Sequence, residues 1–101
     1  MATKKVKDGY EIVTTDSGFT CEVEVEALND MRVLNLIRKI EGTTEETEQV
    51  FLFNDLAHLI LSDKEYARLE NHVAKDSGRI PVDALYKEFT QIFTHLKSAK
   101  N

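Results

Sequence analysis

Tryptophan is absent from this 101-residue chain, cysteine and proline occur once each, and glycine only four times. A single cysteine, Cys21, excludes an internal disulfide and suits a reducing compartment. None of the few glycines stands in a phosphate-cradling arrangement, which leaves out the glycine-rich nucleotide loops. The longest strongly apolar run, Val50 to Leu61, falls short of the roughly 20 residues that span a bilayer. The N-terminal lysines are followed by no apolar segment of a secretory signal, so a cytoplasmic location with no membrane contact is expected. Positive charge is scarce as well. A net charge of -5 argues against nucleic acid as the main partner, because duplex binding needs a basic footprint to displace counterions.

What is present is a soluble globule's mixture, 42% apolar and 31% charged, enough for one small domain and one core. Lys4, Lys5 and Lys7 fall within residues 1–9, which show no periodicity and read as a flexible basic arm. Residues 10–25 read as a hairpin. Tyr10 to Thr15 is rich in β-branched residues, and Phe19, Cys21, Val23 and Val25 alternate with Thr20, Glu22 and Glu24. Asp16-Ser17-Gly18 supplies the turn between them.

Four helices are expected after it, over about 26–41, 48–61, 63–75 and 82–98, with 99–101 as a tail. In the first, Val33, Leu36, Ile37 and Ile40 share a face that Met31 and Leu34 extend, Arg32, Asn35 and Lys39 form the wet stripe, and Gly42 offers a left-handed cap. Thr47 is the expected cap of the second helix. Ser62-Asp63-Lys64-Glu65 has the form of a capping box for the third. Pro81 suits the first turn of the fourth, whose Leu85, Phe89, Ile92, Phe93 and Leu96 lie within an arc of about 120°. The sum is an α+β fold, mostly helical, in one small bundle.

No catalytic pattern emerges. His58, His72 and His95 pair with neither one another nor Cys21 at metal-ligand spacing, so they read as surface residues, and no cofactor is expected. Cys21 shares the inward strand face and reads as a small buried apolar residue. Glu22, Glu24 and Glu26 fall on the solvent side, where nothing raises their pKa values for acid-base work. The acidic segment Thr43 to Glu48 lacks the ordered oxygen ligands and central glycine of a calcium loop. A non-enzymatic binding protein is the expectation.

The Val50 to Leu61 helix carries apolar residues over about 200° of its circumference, more than one buried face needs. Its helical spacing drops Phe51 into the polar arc of Asn54, Asp55 and His58. Phe51, Phe53, Phe89, Phe93, Tyr66 and Tyr86 read first as core rings. The alternative is that Phe51, Leu52 and Phe53, beside Glu45, Glu46 and Glu48, form a protein interface, and these last six are the candidate site residues.

Two stretches carry a family resemblance. Asp16-Ser17-Gly18-Phe19-Thr20-Cys21-Glu22-Val23 followed by Glu26-Ala27-Leu28-Asn29-Asp30, and later Gly78-Arg79-Ile80-Pro81-Val82-Asp83-Ala84-Leu85 running into Ile92-Phe93, resemble the opening and closing parts of tail assembly chaperones of long-tailed phages and prophages of Gram-positive bacteria. Met31 stands where that family carries an aromatic, and the acidic loop has no counterpart in it. The resemblance implies a non-enzymatic factor of the host bacterial cytoplasm that coats the tape measure protein, helps recruit major tail protein, self-associates, and is absent from the finished virion. The alternative is a small cytoplasmic regulatory or adaptor domain that binds protein or, through its lysine arm, nucleic acid.

Overall fold

A computed structural model describes residues 9–99. Two antiparallel strands, β1 (Tyr10–Thr14) and β2 (Thr20–Glu24), are followed by four helices, α1 (Met31–Glu41), α2 (Glu46–Ile60), α3 (Asp63–Val73) and α4 (Val82–Ala99). The fold is thus α+β and mostly helical. Residues 1–8, the greater part of the expected basic arm, lie outside the described residues, as do residues 100 and 101 of the expected tail.

The hairpin forms where its alternation places it. Val13 pairs with Cys21 and Glu11 with Val23, and Gly18 turns the chain at φ 95°, a conformation that disfavours a side chain. Val13, Phe19, Cys21 and Val23 are buried against the helices. Two strands alone are marginal, so this apolar face needs the helices as its second layer. Four long-range polar links join the layers. The backbone N–H of Glu22 donates to the Glu65 carboxylate at 3.0 Å, and that of Asp16 to Gln91 Oε1 at 2.7 Å. The Ser17 hydroxyl meets His72 Nε2 at 2.8 Å, and His95 Nε2 lies 3.2 Å from the Glu11 carboxylate.

Several boundaries and caps differ from expectation, each for a local reason. Helix α1 begins at Met31 rather than near residue 26, because Glu24 and Glu26 carbonyls accept turn bonds from Ala27 and Asn29, and Asp30 then caps the helix through Arg32 N–H. Arg32 returns its guanidinium to Asp30, and that hydrogen bond holds the Asp30 carboxyl below the usual range. Gly42 is not left-handed: its φ is -89°, and the Thr43 hydroxyl and the Gln49 side chain take the last carbonyls of α1 instead. Glu45, not Thr47, caps α2. Ser62 caps α3 as its motif predicts, but Glu65 reaches to β2 and Arg68 rather than back to the serine. Helix α3 ends at Val73, where the chain enters the turn centred on Asp76-Ser77-Gly78.

The core joins the hairpin face to Val33 of α1, Leu56, Ala57 and Ile60 of α2, Tyr66 and Leu69 of α3, and Phe89, Ile92 and Leu96 of α4. One carboxylate is enclosed with them. Glu88 is 6% exposed, its Oε1 is sealed from solvent, and it makes no hydrogen bond among the described residues. Met31 and Leu34 do not extend the buried face of α1. They are 68% and 48% exposed.

Two predictions follow from this interior. Burial, reinforced by the nearby Glu65 carboxylate, pushes the Cys21 thiol up to about 12. Native protein should therefore resist a thiol reagent at mildly alkaline pH, while urea-unfolded protein, with a thiol pKa of about 8.5, reacts fully. Equal rates in the two states would show Cys21 to be open. Glu88→Leu should raise the urea midpoint, since an enclosed oxygen without a partner costs about 1–3 kcal/mol that an apolar side chain does not incur.

Candidate functional site

An apolar groove of about 180 Å³ opens between α2 and the first half of α4, with α3 beneath it. Phe53, Ala57, Leu69 and Phe89 line its floor, and Tyr66 closes one end through a hydrogen bond from its hydroxyl to Asn54 Oδ1. Burial holds the Tyr66 phenol above its usual pKa, so it remains a neutral donor there. The walls are Val50 and Phe51 from α2, Ile80 from the preceding turn, and Val82, Leu85 and Tyr86 from α4.

Local sequence explains why these residues meet. Phe53 and Phe89 interlock edge to face, their centroids 5.0 Å apart at 71°, and Phe53 also meets Tyr86 at 4.6 Å. Such aromatic pairs add about 0.5–1.5 kcal/mol beyond area burial. Phe53 therefore acts as the wedge that sets the spacing of α2 and α4. Phe51 stands two residues away on the helix and cannot share that contact. It is 61% exposed at the groove rim, opposite Val82 at 58%. Toward the N-terminus of α2 the depression continues between Glu46, Thr47, Gln49 and Val50 on one side and Val82, Asp83 and Tyr86 on the other. That end is acidic, and no lysine or arginine lines either part.

The residues singled out in the sequence are divided by this geometry. Phe51, Phe53 and Glu46 belong to the groove and its extension. Leu52 and Glu48 lie on another flank of α2, in a shallow depression with Asn35, Arg38, Lys39, Gly42 and Thr43. Glu45 is spent as the helix cap, accepting from Glu48 N–H. Sequence reasoning missed Ile80, Val82 and Tyr86 as partners of Phe51. The visible signal was the position of Val82 and Tyr86 at the edge of the α4 stripe, where burial by other helices runs out.

The three histidines are exposed, and each is engaged. His72 tilts on Phe19 at 5.1 Å while meeting Ser17, His95 faces Glu11, and His58 stacks on Tyr66 at 3.9 Å. Among the described residues no carboxylate is hydrogen-bonded to His72, and its bond to Ser17 fastens the hairpin turn to α3. Among the described residues, no group of three or more His, Cys, Asp and Glu side chains is placed to hold a metal ion, and no helix is long and apolar enough to cross a membrane.

No family model, curated protein or solved structure matches this chain.

The two phenylalanines should differ sharply in their response to truncation. Phe53→Ala is expected to lower the unfolding free energy by about 3 kcal/mol, toward the low end for a core ring because Phe53 is only partly buried. Phe51→Ala should stay within about 0.5 kcal/mol of wild type. Urea denaturation followed by far-UV circular dichroism measures both.

Proposed function

We propose that this chain is a non-enzymatic tail assembly chaperone that holds apolar-striped helical segments of the tape measure protein in the α2/α4 groove and helps bring major tail protein to them in the host cytoplasm. The observation that supports it most directly is the groove itself. Phe51, Val82 and Tyr86 are large apolar side chains grouped in water around a depression whose polar groups, Asn54 and the Tyr66 hydroxyl, already satisfy one another. Exposed apolar clusters of this kind are a hallmark of protein-binding surfaces. A narrow groove between two helices accepts a third helix through residues at i, i+3, i+4 and i+7. The motif resemblance in residues 16–30 and 78–93 names the client class, and a tape measure is a long, largely helical chain that needs its apolar stripes shielded. The acidic exterior also disfavours clustering of coated complexes through like-charge repulsion.

Co-expression with a helical tape measure fragment from the same gene cluster tests this. Wild-type protein should raise the soluble fraction of the fragment and co-purify with it. Phe51→Asp combined with Val82→Asp should abolish both effects while leaving the circular dichroism spectrum unchanged, because both positions face solvent. A fragment that stays insoluble with wild type, or is solubilised equally by the double variant, would sink the proposal.

A further inference from the structure

The two ends of the α2/α4 groove are chemically unlike. Around Ala57 and Tyr66 it is apolar, and its polar pair, Asn54 and the Tyr66 hydroxyl, is bonded internally. At the other end the first turns of α2 and α4 lie side by side and bring Glu46 and Asp83 to its mouth, both exposed. Asp83 accepts from the Ala84 N–H at 3.0 Å, and neither carboxylate has a cationic partner among the described residues. The rings of Phe51 and Tyr86 line the same end and are themselves largely in water. A cation placed there would meet carboxylates and aromatic faces together, both of which attract it.

The dimensions say what can enter. About 180 Å³ is below the roughly 300–1,000 Å³ of clefts that enclose a small molecule, so the groove takes side chains from a backbone lying across its rim. From Ala57 to Glu46 its α2 wall is about 16 Å long, roughly three helical turns. The apolar stretch, Ala57 to Val50, fills about two of those turns, and the acidic mouth is the third.

We infer that the groove selects its helical partner by charge as well as by apolar shape. The helix it holds carries apolar residues at i, i+4 and i+7 and a lysine or arginine at i+10 or i+11, and it lies antiparallel to α2. The spacing follows from two apolar turns succeeded by an acidic one. The direction follows because a helix carries cations most favourably in its last turn, and here that turn must reach the first turn of α2. That the partner is a tape measure segment rests on the function proposed above; the polarity of the groove does not. The apolar anchors set the affinity, and the cation between Glu46 and Asp83 sets register, direction and the rejection of acidic helices.

Three labelled amphipathic peptides of one length, titrated into the full chain and followed by fluorescence anisotropy, provide the test. All carry leucines at i, i+4 and i+7. The first has lysines at i+10 and i+11, the second has glutamates there, and the third has its lysines one turn before the first leucine. At low salt the first should bind at least about fivefold more tightly than either of the others, the scale of one or two exposed ion pairs, and the margin should shrink as salt is raised. Glu46→Gln combined with Asp83→Asn should bind all three within about twofold of one another. Both positions are exposed, so circular dichroism should confirm an intact fold. Wild type that binds none of the peptides or all of them alike, a third peptide that matches the first, or a preference that survives in the neutralised variant would overturn the inference. So would a Lys4→Gln, Lys5→Gln, Lys7→Gln chain that binds the first peptide about fivefold more tightly than wild type, because the chain's own lysines would then hold the acidic mouth. Peptides bound in the expected order beside a tape measure fragment that stays insoluble would uphold the inference and refute the client reading. A solubilised fragment with peptides bound alike would do the reverse.

Discussion

The apolar surface of α2 is greater than the other described residues cover, and the architecture follows from how that surface is shared out. Helix α2 packs against α1, α3 and α4, so it is the hub of the bundle. Yet the molecule measures only 45 × 37 × 21 Å, and its thin dimension is about two helix diameters. In so flat a body a central helix is covered on its flanks and on one side, and the remaining side stays open. Phe53 is drawn into the contact with α4, whereas Phe51, two residues earlier at the groove rim, is left mostly in water. The groove is thus the remainder of an incomplete second layer, shaped by the wedge that Phe53 drives between α2 and α4.

The angle between hairpin and helices is fixed by few groups. Glu65 on Glu22, Gln91 on Asp16, His72 on Ser17 and His95 on Glu11 join residues far apart in sequence. Each such bond contributes only about 0.5–1.5 kcal/mol, but all four stand at the seam between layers, where apolar contact alone would permit sliding. Two of them belong to α4, the helix that forms one wall of the groove. The position of that wall therefore depends on bonds made at the far side of the molecule, and His95 and His72 have structural work that their isolation in the sequence concealed.

The order and type of every element were legible because each rests on local periodicity: the alternation from Phe19 to Val25, the Ser62 cap, the narrow stripe of α4. The same spacing put Phe51 in the polar arc of α2, but it left open whether the ring is core or exposed, which only the placement of α4 decides. What escaped was decided by neighbours that sequence spacing does not reveal. Met31 and Leu34 were expected to extend the apolar arc of α1, but at about 100° per residue they fall away from Val33, Leu36, Ile37 and Ile40 and stay exposed. Leu52 and Phe53 are adjacent in sequence and about 100° apart on the helix, so a patch drawn from consecutive residues divided between two flanks. Glu88 falls at the edge of the apolar stripe of α4, where spacing alone does not say whether a carboxylate is enclosed, and the tertiary packing encloses it. The start of α1 was misplaced because turn bonds at Glu24 and Glu26 outcompete helix nucleation, which gains little until several turns can propagate.

The bond from Glu22 to Glu65 has one more bearing on how this protein meets others. Val25 bonds back to Gly9 across the hairpin, so by alternation the N–H of Glu22 points away from β1, onto the outer edge of the sheet. An unclaimed edge of that kind invites a foreign strand, and with it irreversible stacking of one chain on the next. Here a carboxylate from the first turn of α3 occupies the donor, itself held by Arg68. Strand addition at that position is closed off by a single acidic side chain. With that donor occupied, the apolar side chains left in water among the described residues, Phe51 and Val82 among them, lie on helices rather than on an open strand edge.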